Sequence, residues 1–118
     1  MTNIAILKIL QFITHYGLHL VFPALIAYWF FRPFWKKAWL IMLATMLVDL
    51  DHLLANPIFD PNRCSIGFHV LHSEIAIIGY VFMLFFHKTR VVGVGLLWHM
   101  VTDYQDCLWQ NYLAMLKF

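Results

Sequence analysis

The chain has 118 residues, of which 63% are hydrophobic, 18% aromatic and only 12% charged. A soluble domain carries about 25% charged residues, so this length allows one compact domain, residues 1–118, whose outer surface meets lipid rather than water. A net charge of +2, with no basic run longer than Lys36-Lys37, excludes a nucleic-acid partner.

The first apolar stretch runs from about Asn3 to Phe31 and stops at Arg32-Pro33, since proline cannot continue a helix. It lacks the basic start of a secretion signal and is too long for one, so it reads as a retained helix kinked at Pro23. A second stretch runs from about Trp35 to Ala55 and ends at Asn56-Pro57. Only Ala38–Val48 precede Asp49 there, so a re-entrant or buried soluble helix is the alternative for this segment. The loop Asn56–Gly67 has two prolines and no periodicity. A third stretch, about Phe68 to Phe86, is broken by His87-Lys-Thr-Arg90, and a fourth runs from about Val91 to Phe118. Each is close to the ~20 residues that cross a hydrocarbon core. The expected fold is all-α, an integral membrane bundle of four transmembrane helices.

Basic loops stay in the cytoplasm. Arg32, Lys36 and Lys37 in the first loop, and Lys88 and Arg90 in the third, therefore predict a multi-pass protein of the bacterial inner membrane with both termini outside. Trp29, Trp35 and Trp39 fall at the cytoplasmic boundary, where aromatic anchors belong. Cys64 and Cys107 show no motif spacing and are expected as free thiols; one bridge between them would require an oxidising compartment.

Six histidines (His15, His19, His52, His69, His72, His99) lie in or at the mouth of these helices, with Asp49, Asp51, Glu74, Asp103 and Asp106. An ionisable group at the bilayer centre costs about 2.5–3.5 kcal/mol, so each needs a partner. At 100° per residue they form one stripe per helix. These are Lys8, Gln11, His15 and His19; Thr45, Asp49 and His52; His69, His72 and Ser73; and His99, Asp103, Asp106 and Gln110. Counted at about 1.5 Å per residue from each cytoplasmic end, the stripes coincide within a band about two helical turns thick, in the outer half of the membrane. On regular helices Asp51 and Glu74 point away from the stripes, which suits a ligand-orienting role or, for Asp51, that of a base.

Imidazole nitrogen and carboxylate oxygen ligate zinc and other divalent first-row ions. His15-x₃-His19 and His99-x₃-Asp103 each place two donors one turn apart. The metal ligands expected are His15, His19, Asp49, His52, His72, His99 and Asp103, with Asp51 as the catalytic base. Seven donors exceed the four of a tetrahedral site, so either two ions share them or some lie in an outer shell.

Asp49-Leu-Asp51-His52, His72-Ser73 and Gly95-x₃-His99-x₃-Asp103 resemble motifs of the YdjM-like membrane-bound metal-dependent hydrolases, in the same order and over roughly Thr14 to Asp103. In that family a proline precedes the Asp-x-Asp-His motif, where Val48 stands here, and the second motif carries an arginine and a threonine that this chain lacks. The family's early histidine corresponds to His15 or His19, and His19 matches Asp49 better in depth. The resemblance implies a bound metal and hydrolysis. A site this deep favours an amphiphilic substrate, a lipid-like ester or phosphoester entering from the bilayer.

Three other readings use the same residues. A haem-binding electron carrier would take His19 and His99 as axial ligands. A metal or proton pathway would need polar residues on both sides of the cluster, and the cytoplasmic half is apolar. An accessory subunit would pack its polar stripe on a larger membrane complex.

Overall fold

The computed structural model describes residues 2–54, 64, 66 and 70–116, without the side chains of Thr2, Asp51 and His52. The described residues are all helical apart from turns. α1 (Thr2–Leu20) continues almost directly into α2 (Phe22–Phe30). A 3₁₀ turn, Arg32–Phe34, reverses the chain into α3 (Trp35–Ala44), which tightens into a 3₁₀ segment over Thr45–Leu54. After a short 3₁₀ turn, Val70–His72, come α4 (Glu74–Met83) and α5 (Arg90–Leu116).

The kink falls where Pro23 predicts it. Proline sits in the first turn of α2, and the Ala24 amide donates to Val21 O instead of Leu20 O. Leu20 O is thereby released, and the indole of Trp39 donates to it at 2.9 Å; Trp98 donates to Leu18 O at 2.7 Å. Two of the tryptophans therefore tie the kinked rod to α3 and α5. Trp39 is a tether here, as well as belonging to the cluster expected at the boundary.

Small residues set the helix spacing. Ala27 and Ala38 are wholly buried where α2 meets α3, in a cluster with Ile26, Met42 and Val91. On α5, a Cβ at Gly95 would stand 2.9 Å from Thr45 Cγ2 and Oγ1 and 3.1 Å from Met42 Cα. A Cβ at Gly93 would stand 3.0 Å from Met83 Cβ and Tyr80 O. These two glycines let α3 and α4 close on α5 from different sides, Gly95 one turn before His99.

Three expectations need correction. The stretch from Phe68 to Phe86 is not one helix: Ser73 is extended, its hydroxyl accepts from the Ala76 amide, and α4 is only ten residues long. At about 1.5 Å per residue, α4 is too short to cross a membrane. The second stretch is α-helical only as far as Ala44. The cysteines are not free: Cys64 and Cys107 form a disulfide with Cα atoms 5.2 Å apart. The rod Asn3–Phe30 is long and apolar enough to cross a membrane, a property that an N-terminal signal sequence shares. No other described helix combines that length with that composition.

Two apolar clusters, one around Ala27, Ala38 and Met42 and one around Val48, Tyr80 and Met100, pack beside a buried polar group. The largest fully buried side chains are His72, His99 and Thr102, while Ile75, Leu54, Phe30, Phe85 and Met115 are among many large apolar groups exposed on the outside.

Candidate metal centre

The site is built on α5. Gly95, His99 and Asp103 succeed one another at four-residue intervals on one face of the helix. The 3₁₀ segment brings Asp49 to that face from one side, and the turn Val70–His72 brings His72. This turn is held by Tyr80, whose hydroxyl donates to Leu71 O at 2.6 Å, and by Ser73, whose hydroxyl donates to Val70 O. The hydroxyl of Thr45 is turned back onto Met42 O, and that of Thr102 donates to Trp98 O. Neither hydroxyl is left to compete for the cluster.

Asp49, His72, His99 and Asp103 converge on one point. His72 Nε2 lies 2.9 Å from Asp103 Oδ2 and 3.3 Å from Asp49 Oδ1. His99 Nε2 lies 3.1 and 3.0 Å from the same two oxygens. The two Nε2 atoms are 3.4 Å apart. Four donors about 2.0 Å from a zinc ion in a tetrahedron stand about 3.3 Å from one another. The four nitrogen–oxygen edges and the nitrogen–nitrogen edge of this group run from 2.9 to 3.4 Å. An imidazole nitrogen carries one proton or one lone pair in the ring plane, and a hydrogen bond would select one carboxylate. One Nε2 cannot hydrogen-bond to two carboxylates and a second imidazole at once, and the four converging donors fit a divalent ion.

A second group lies beside the first. His15, His19 and Asp103 can each offer an atom within 4.8 Å of the others'. His19 Nε2 is 3.2 Å from Asp103 Oδ1, and His19 is buried with its ring 4.5 Å from that of His99. Asp103 is thus shared, with Oδ1 toward α1 and Oδ2 toward His72 and His99. Beyond it, Asp106 accepts from Gln11 Nε2 at 2.9 Å and from Gln110 Nε2 at 3.2 Å, and its Oδ1 lies 3.7 Å from His15 Nδ1. The Nδ1 atoms of His15 and His99 are buried without a hydrogen-bond partner. Two carboxylates of the first group are surrounded by imidazoles, an arrangement whose desolvation a cation would offset.

The expected ligands therefore divide. Asp49, His72, His99 and Asp103 form the first group, and His15 and His19 belong with Asp103 to the second, so neither early histidine joins the first four. The side chains of His52 and Asp51 lie outside the described residues, as does His69. Glu74 is exposed in the first turn of α4, Lys8 is exposed at the far end of its stripe, and Ser73 serves as a helix cap. Gln11 and Asp106, both on the polar stripes, also meet at the edge of the second group. Their partnership spans 95 positions and becomes visible only when α1 lies against α5.

An all-helical chain with a buried His/Asp group able to hold a metal ion is the class that this fold and site define. The chain belongs to a family of unknown function, DUF6122, whose model matches residues 9–110. Every residue of both groups lies inside that match. No curated protein and no solved structure matches the chain.

Proposed function

We propose that this chain is a multi-pass protein of the bacterial inner membrane that holds a zinc-type ion between Asp49, His72, His99 and Asp103 and hydrolyses a lipid-like ester or phosphoester. The observation that carries the metal is the near-tetrahedral spacing of the four donors. The observation that supports the membrane is the extensive apolar exterior, with a cluster of ionisable groups buried among the helices. α1 takes part in the interior through His19, which supports retention of the rod in the mature protein rather than its removal as a signal.

Four crossings remain part of this reading, with α3 and its 3₁₀ continuation as one and α5 as another. The Cys64–Cys107 bridge supports the orientation with that end outside, since disulfides persist in oxidising compartments. Hydrolysis, the substrate class and the likeness to YdjM-like enzymes belong to the proposal as well. A divalent ion in the His/Asp cluster that keeps one position open would polarise the ester or phosphoryl oxygen and activate water. The chain's own part is to hold four donors in place and to keep the surroundings apolar. The haem reading is less well supported, because the His19 and His99 rings lie in direct contact, where a macrocycle would have to fit between them.

The test is elemental analysis of detergent-purified protein before and after chelation, with hydrolysis of phospholipid and of chromogenic esters measured on both samples. One or more equivalents of a divalent metal, with turnover lost on chelation and absent in His99→Ala, is the expected result. Protein free of metal after purification and after dialysis against zinc overturns the reading.

A further inference from the structure

We propose that the site holds two ions, the second bound by His15, His19 and Oδ1 of Asp103, with the Asp103 carboxylate bridging the pair and Asp106 facing the position left open. This rests on the metal-binding reading above and specifies what that reading leaves undecided.

The first observation is the way Asp103 is used. A carboxylate binding one ion needs only one of its oxygens. Here Oδ2 is 2.9 and 3.1 Å from His72 and His99, while Oδ1 is 3.2 Å from His19 on the opposite side. The two oxygens thus serve two separate sets of imidazoles, as in two-metal hydrolytic sites, where the ions stand about 3.5–4 Å apart.

The second observation is the number of donors. Asp49, His72, His99 and Asp103 fill a tetrahedron and leave no position free, which is the pattern of a closed site. His15, His19 and Asp103 supply three donors, the pattern of a site that keeps one position for water or substrate. On these grounds the reacting ion is the second one, and the first fixes Asp103 and adds positive charge next to it.

The third observation is what surrounds that open side. His15 Nδ1 is buried and has no hydrogen-bond partner, and the nearest carboxylate oxygen, Asp106 Oδ1, stands 3.7 Å away, beyond hydrogen-bond length. Asp106 is held by two amides, Gln11 and Gln110, so its position does not depend on the histidine. A water placed there would meet a fixed carboxylate acceptor. Asp106 is a positioning residue for that water, and Gln11 and Gln110 position Asp106.

The experiment is zinc stoichiometry by equilibrium dialysis and elemental analysis on the full chain in detergent, with cobalt(II) EPR on the same samples. The expected result is two ions per wild-type chain and one in the double variant His15→Ala/His19→Ala. The first cobalt equivalent should give a high-spin signal that the second attenuates through coupling. Asp106→Asn should keep two ions and shift the pH profile of the cobalt visible spectrum. One ion in wild type, unchanged in the double variant, overturns the second site and leaves the single-ion reading standing; no ion in wild type overturns both. Two ions retained in the double variant overturn the choice of His15 and His19. Should the double variant fail to fold, the wild-type stoichiometry and coupling decide alone.

Discussion

Replacing Asp103 by asparagine separates a metal centre from a polar core that merely holds helices together. The change keeps the shape, removes one charge and turns one of the two engaged oxygens into an amide nitrogen that cannot ligate a cation. Asp103 contacts three imidazoles, at 3.2, 2.9 and 3.1 Å. Removing one partner of a buried charged set costs about 3–5 kcal/mol. In the loaded protein a further loss appears. An ion present at 100 times its dissociation constant stabilises the folded state by about 2.7 kcal/mol, which for a chain of this size is a melting shift of about 10 °C. Wild type should therefore melt about 10 °C lower after chelation, whereas Asp103→Asn should melt low and respond little to chelator. Differential scanning fluorimetry in detergent, with elemental analysis of the same samples, measures both quantities. A wild-type melting point indifferent to chelator, with Asp103→Asn equally destabilised in either condition, would refute the metal argument and leave a hydrogen-bonded core.

Gly95→Val should lower metal content although no ligand is touched. The new Cβ meets Thr45 and Met42 at 2.9–3.1 Å, pushing Asp49 away from His99 at a cost of about 1–3 kcal/mol; unchanged content would show that helix spacing does not set the site. Reduction of the Cys64–Cys107 bridge, or Cys64→Ser/Cys107→Ser, releases a loop with a sequence separation of 43 and should cost about 4 kcal/mol, read as a lower melting point in dithiothreitol. Trp98→Phe removes the bond to Leu18 O while keeping a ring to stack on Phe22 and should lower stability by about 1 kcal/mol; an unchanged melting point would show that this bond does not tie α1 to α5. A cysteine at Ser73, with Cys64 and Cys107 replaced, should react in intact cells with an impermeant thiol reagent, more slowly when zinc is added. Reaction only in inverted vesicles would place this end in the cytoplasm.

Phase and depth along the helices were enough to bring His19, Asp49, His72, His99 and Asp103 together, because a polar residue with no water around it must face another polar residue. The same reasoning could not divide the group in two. Which oxygen of Asp103 faces which helix depends on the side-chain torsion, and no residue spacing encodes it. Over ten residues a period of 3.0 differs too little from 3.6 to be told apart, so the 3₁₀ segment after Ala44 was hidden. The break before α4 did carry a signal, Ser73 ahead of Glu74, but the apolar run on both sides outweighed it. The disulfide was out of reach because each cysteine stands alone in the sequence.

The separation in sequence between the partners has a consequence for how the protein is made. His19 and Asp103 are 84 positions apart, and Gln11 and Asp106 are 95. Chains are synthesised at about 5–20 residues per second, so Gln11, His15 and His19 wait roughly 4–20 s before α5 emerges to meet them. On the proposed membrane reading, the first helix would during that interval present its polar stripe to lipid or to the insertion machinery before its α5 partners exist. Ion capture by the complete set can begin only when the last helix arrives. A ribosome stalled before Trp98 would therefore hold a chain that has the early histidines but neither His99 nor Asp103, and on the proposed metal reading loading would be a late step that follows completed synthesis.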